Sequence, residues 1–186
     1  RPFSGKMADT IGRKSTLFIG AAVSAIITFL YPLTGTLFFF FTLRFFHGFS
    51  TGFFPTGATA LVTDLLPVNK RGQGMGVFGT AISLGNGIGQ FLGSPITNII
   101  GLNGLFIFSG LLSIISFLLI ATVRETLSNP DKFQLKILKI SMSDAYESKV
   151  LPAALVMFLT SACSGLIFVL SPDISGFLKI ENKGWF

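Results

Sequence analysis

Residues Gly5 to Lys14, GKMADTIGRK, put four charged side chains and two glycines directly before a long apolar run. Gly5 and Gly12 permit close backbone approach and a tight reversal. Asp9 is a fixed anion suited to the positive N-terminus of a neighbouring helix. Arg13 can bind a carboxylate through two N–H groups at once, and Lys14 adds a point charge. One carboxylate is expected at the same level, Asp64 in VTDLLP. The competing reading is that these charges only turn the chain and fix its topology. A second charge lies deeper, Arg44 in FFFFTLRFFHGFSTG. Counted from Leu37, it sits ~10 Å below the end of its helix. An arginine inside a membrane costs at least ~2.5 kcal/mol, so it faces a cavity or a partner, or snorkels to the surface. His47 follows on the same helical face, and a free imidazole titrates near neutral pH; it either relays protons or packs. Asn86 and Gln90 either face a cavity or bond neighbouring helices. Thr160, Ser161 and Ser164 are the polar candidates further on. One His and one Cys, Cys163, assemble no nucleophile–base set, metal cluster or internal disulfide, so an enzyme is not expected.

Glycine spacing supplies a second pattern. Gly48 and Gly52 form G-x-x-x-G, a surface on which two helices touch backbone to backbone. Gly85, Gly89 and Gly93 continue the theme four residues apart, with Gly76 upstream. GRKST resembles the end of a phosphate-binding loop but lacks its G-x-x-x-x-G-K-[ST] spacing, and no strand precedes it. GNGIGQ resembles a dinucleotide loop but lacks the third glycine and lies in a lipid-length run.

The elements that must position these residues are set by composition. The 186 residues are 50% hydrophobic and only 12% charged, with 22 Phe, against roughly 25% charged in soluble domains. Lipid is therefore the expected solvent, and a multi-pass integral membrane protein the expected class. Five stretches reach the roughly 20 apolar residues of a crossing helix: about Thr16–Leu33, Leu37–Leu66, Met75–Ile100, Leu105–Val123 and Val150–Leu170. Nothing alternates as barrel strands do. The +6 net charge does not signal nucleic acid, because the basic residues fall between apolar runs. Arg1, Lys6, Arg13, Lys14, Lys70, Arg71, Arg124, Lys132, Lys136, Lys139 and Lys149 fall in connectors on one side. The opposite connectors, near Thr34-Gly35 and Gly101–Asn103, hold none. The positive-inside rule then makes 1–14, 67–74 and 124–149 cytoplasmic. KFQLKILKI, with Lys132, Lys136 and Lys139 at helical spacing, reads either as an interfacial helix on an anionic leaflet or as a plain linker. The chain opens on Arg1-Pro2 and closes on KIENKGWF, so both ends are expected to continue into a longer protein.

Gly5, Asp9, Gly12, Arg13 and Lys14 together make G-x-x-x-D-x-x-G-R-K, which strongly resembles the signature of the major facilitator superfamily between its second and third helices. Thr10 stands where that signature usually has another arginine. LRFFHGFSTG resembles the fourth-helix motif, whose arginine lines the central cavity and is linked to proton coupling. Gly76, Gly85, Gly89 and Gly93 resemble the fifth-helix antiporter signature, with Gln90 in place of its proline and Ser94 in place of its last glycine. The resemblance implies an all-α fold of two six-helix halves, present here as a partial bundle. It implies residues 1–123 in the first half (end of helix 2 to helix 6), 124–149 in a central cytoplasmic loop, and 150–186 at the start of the second half. It implies an Arg13–Asp64 pair, with Asp9 docking on the other half, as a latch of the outward-open state. The implied function is secondary transport by alternating access, namely proton-coupled efflux of a small molecule across the plasma membrane. The implied protein is a monomer without cofactor, driven by a proton gradient. The alternatives are metabolite uptake by symport or uniport, and a sensor that moves no solute.

Overall fold

The computed structural model describes residues 2–131, 133 and 148–178. Among them every regular element is helical: α1 (Pro2–Thr10), α2 (Arg13–Leu30), α3 (Leu37–Leu65), α4 (Arg71–Thr122) and α5 (Leu151–Phe177). Short 3₁₀ turns over Tyr31–Leu33, Val68–Lys70 and Ser148–Val150 precede or follow them. The sequence KFQLKILKI lies outside the described residues apart from Phe133, which is exposed.

Local chemistry sets the boundaries. The N–H groups of Ile11 and Gly12 both return to the Met7 carbonyl and close α1. Gly12 has φ 131° and ψ 150°, a conformation open only to glycine, and α2 starts at the next residue. Thr36 caps α3 by accepting the Phe39 N–H at 3.3 Å. Pro67 ends α3, because the residue before a proline is driven out of the helical region.

Among the described residues three helical stretches are long and apolar enough to cross a membrane: Arg13–Leu33, Leu37–Leu65 and Val68–Thr122. The last has 55 residues, more than twice one crossing. Two spans are expected there, and the structure gives two helical limbs joined at Gly101, whose φ of 71° and ψ of 173° are not helical. A straight 52-residue helix would part its ends by about 78 Å. Here Met75 Sδ accepts from Thr63 Oγ1 near the start of α4, while Ala121 and Thr126 beyond it meet Lys14 and Asp64. Both ends therefore lie at one level, and α4 is two limbs, 71–100 and 102–122, folded back at Gly101. We call the end of the bundle that carries Arg13 the inner end.

The second limb runs antiparallel to α2. One cluster joins Leu17, Ala21, Leu61 and Ile120, flanked by Phe18, Phe54 and Phe117. Another, nearer the outer end, joins Ile27, Tyr31 and Leu43 with Phe40 and Phe106. In lipid such contacts hold by close packing rather than by water expulsion. The closest approach is between α2 and α3. A Cβ on Gly20 would lie 2.6 Å from the Phe54 nitrogen, and one on Gly57 would lie 2.9 Å from the Leu17 nitrogen. The first limb of α4, by contrast, is exposed along most of its length, as is α5.

Candidate functional site: the inner charge cluster

At the inner end the α1–α2 connector meets the ends of α3 and α4. Arg13 Nε donates to Asp64 Oδ2 at 2.9 Å, and its Nη1 donates to the Ala8 carbonyl at 2.7 Å. Its Nη2 lies 3.5 Å from Asp9 Oδ1. Arg13 is 15% exposed at its side chain and Asp9 72%, so the arginine is clamped while the aspartate still faces outward. Asp64 Oδ2 also accepts from Thr126 Oγ1 at 2.8 Å. Lys14 Nζ donates to the Ala121 carbonyl at 2.8 Å, a cation on the negative C-terminal end of α4.

Glu125, which the sequence analysis does not single out, organises the cluster. Its Oε1 accepts the Arg13 N–H and its Oε2 the Lys14 N–H, each at 3.0 Å. These are the first two N–H groups of α2, which have no partner within the helix. Oε1 also accepts from its own loop, from the N–H groups of Thr126 at 2.9 Å and Leu127 at 3.1 Å. Burial works to raise the Glu125 carboxyl, but the backbone N–H groups of Leu127, Arg13, Thr126 and Lys14 outweigh it and hold it below the usual 4.5. Among the described residues the carboxylate at the N-terminus of α2 is thus Glu125, within the bundle. Gly12 is doubly required here, because a Cβ on it would collide with the Glu125 carboxylate. One further stitch, Asp131 N–H to the Thr10 carbonyl at 2.8 Å, holds the chain after α4 against the end of α1. Gly5 plays no comparable part: nothing lies within 4 Å of a Cβ placed there.

Higher in the bundle, His47 Nδ1 lies 3.0 Å from Tyr31 Oη. The Arg44 guanidinium stands 5.4 Å from the ring centres of both Tyr31 and Phe40, within cation–π range. Tyr31 also stacks on Phe106 at 4.9 Å. Asn86 and Gln90 are exposed. Gly48, Gly52, Gly76, Gly85, Gly89 and Gly93 have nothing within 4 Å of an added Cβ, so they pack on no described residue. Glycines that do pack against other parts of the bundle include Gly20 and Gly57, Gly74 against Leu66, and Gly110 under the Phe29 ring.

The comparisons with known proteins fit a chain whose charged residues gather at one end of a lipid-length bundle. The sequence profile of the Major Facilitator Superfamily matches residues 1–185. The chain belongs to this superfamily. An uncharacterized MFS-type transporter of Methanocaldococcus jannaschii is 28% identical over 144 residues, 77% of this chain and 37% of that protein. Multidrug resistance protein 1 of Bacillus subtilis is 26% identical over 160 residues, 86% of this chain and 41% of the relative. Multidrug resistance protein MdtG of Dickeya zeae is 33% identical over 117 residues, 63% and 28% of the two chains. The chain thus spans about two fifths or less of these relatives. Among solved structures, a POT family transporter in complex with a thioalcohol conjugated peptide superposes with a TM-score of 0.56 at 18% identity. That match covers 93% of this chain and 36% of the other. The structural likeness establishes the fold: a major facilitator protein is an all-α integral membrane protein, and this chain is a partial bundle of it.

Proposed function

We propose that the protein is a secondary active transporter working by alternating access, and that it expels a small molecule in exchange for protons. The observation that carries the reading is the Arg13–Asp64 pair with Asp9 left largely exposed beside it. The pair fixes the inner ends of α2 and α3 as one unit. Asp9 is then free to dock on the opposing half when the inner side is shut, and separation of the halves releases it. In this reading residues 1–123 belong to the first half, 124–149 link the halves and 150–186 begin the second. The basic inner end faces the cytoplasm and the protein works as a monomer in the plasma membrane. Arg44 and His47 lie together within the span that should border the transport path, which supports proton coupling. The names of the multidrug-resistance relatives support export of small organic molecules. Gln90 and Ser94, where the antiporter signature has proline and glycine, favour a second reading: uptake by symport or uniport on the same fold.

Reconstitution into proteoliposomes tests this, using the protein expressed from its complete reading frame. Outward flux of a fluorescent organic cation that stops when a protonophore collapses the gradient supports exchange. Flux that persists without the gradient supports a uniporter, and binding without flux makes the protein a sensor.

A further inference from the structure

A cavity of about 290 Å³ between α2, α3 and the second limb of α4 lies apart from the inner cluster. Ser50 lines it at only 6% exposure, and its hydroxyl makes no hydrogen bond among the described residues. Ser116, across the cavity, is in the same position. Pro55 sits inside α3 and has no N–H, so the carbonyl of Thr51, a residue that lines the cavity, lacks its helical donor. Ser24 and Ser113 span the α2–α4 side with their hydroxyls 3.4 Å apart, near the limit of a bond, and Ser113 Oγ donates to the Ser109 carbonyl at 3.0 Å. Polar groups at this depth in a lipid-length bundle are costly unless something satisfies them.

We propose that this cavity is a hydration site, holding ordered water that completes the hydrogen bonding of α3 at Pro55. The chemistry selects the occupant. No carboxylate, lysine or arginine lines the cavity, so it offers nothing to a metal or an organic ion. The hydroxyls need a partner that donates and accepts, and the Thr51 carbonyl needs a donor, all within a small volume. Water meets each demand, and at about 30 Å³ apiece several molecules fit. An apolar guest would leave the Ser50 and Ser116 hydroxyls and the Thr51 carbonyl unmet. His47 also borders the cavity, with Nδ1 engaged by Tyr31 and its other ring nitrogen left for the cluster. The titratable groups around that imidazole are Tyr31 and Arg44; residues 102–122 of α4 carry none. The site stands independently of whether the protein moves solute.

Radiolytic hydroxyl-radical labelling of the protein from its complete reading frame, in lipid nanodiscs, tests this. Radicals formed from bound water modify the side chains touching it. The expected result is oxidation of Phe54 and Pro55 well above that of the exposed, lipid-level Leu118 and Leu119. Ser116→Leu, which fills the space, should abolish most of it, and Ser50→Ala, which only removes a hydroxyl, should lower it in part. Silence at Phe54 and Pro55 in the unaltered protein overturns the proposal, whether lipid or another segment fills the space. So does labelling that persists unchanged in both variants, because it then comes from bulk water.

Discussion

At the inner end Arg13, Lys14, Asp64 and Glu125 join three helices through ion pairs and backbone N–H groups, whereas nearer the outer end Tyr31, Phe40, Phe106 and Arg44 join them through rings. The two kinds of attachment differ in what water does to them. Carboxylate and guanidinium groups released at a membrane surface are rehydrated at once, so a charged attachment can be exchanged for another at little net cost. Stacked rings have no such alternative partner. Within the proposed cycle the exposed Asp9 contact is therefore the one suited to be remade, while the ring attachments stay closed. Glu125, like the Arg13–Asp64 pair, stands apart from that exchange. Its bonds are to backbone within one half, so it should hold while the Asp9 contact exchanges.

The sharpest way to break this contrast is at Arg13. Arg13→Asp places a carboxylate against Asp64 and removes charge-assisted bonds worth about 1.5–3 kcal/mol each. Flux in proteoliposomes should fall about tenfold or more. Next in size is Gly12→Ala, which forces a Cβ into a glycine-only conformation and into Glu125. Backbone strain alone is of order 1–3 kcal/mol, so the detergent-solubilised protein should melt several degrees lower. Glu125→Gln should cost about 1 kcal/mol, the scale of a lost helix cap. It should raise amide exchange at Arg13, Lys14, Thr126 and Leu127 while leaving Tyr31 and Phe40 unchanged. Because the folded Glu125 carboxyl titrates below its ordinary 4.5, its contribution is complete above that value. It is lost as pH falls through the lower folded value. Protection of the first turn of α2 should therefore collapse in acid, and the glutamine variant should lack that step. The smallest effect is expected at the rings: Tyr31→Phe removes one hydrogen bond to His47 and keeps the stack on Phe106, for about 0.5–1.5 kcal/mol.

Much of this architecture was legible before any coordinates. Apolar run length marks α2 and α3, and Pro67 and Gly101 mark the breaks, because lipid thickness and backbone sterics act residue by residue. The pairing of Arg13 with Asp64 was legible because both fall at the same level on adjacent spans. Glu125 was not, because its partners are backbone N–H groups, which leave no trace in side-chain spacing. A carboxylate directly after an apolar run, in VRETL, is the signal that was there to read. Glycine spacing likewise reveals a smooth helix face without saying what covers it. Gly85, Gly89 and Gly93 make a regular stripe that meets no described residue, while the isolated Gly20 and Gly57 carry the close crossing.

The central claim is that Arg13 and Asp64 act in transport as a pair of opposite charges, and a charge-swap cycle tests it most directly. Initial flux would be compared for the unaltered protein, Arg13→Asp, Asp64→Arg and the double exchange, each reconstituted at equal density. The account predicts that both single variants lose most flux and that the double exchange regains a substantial part. A double exchange no better than the worse single variant would contradict it.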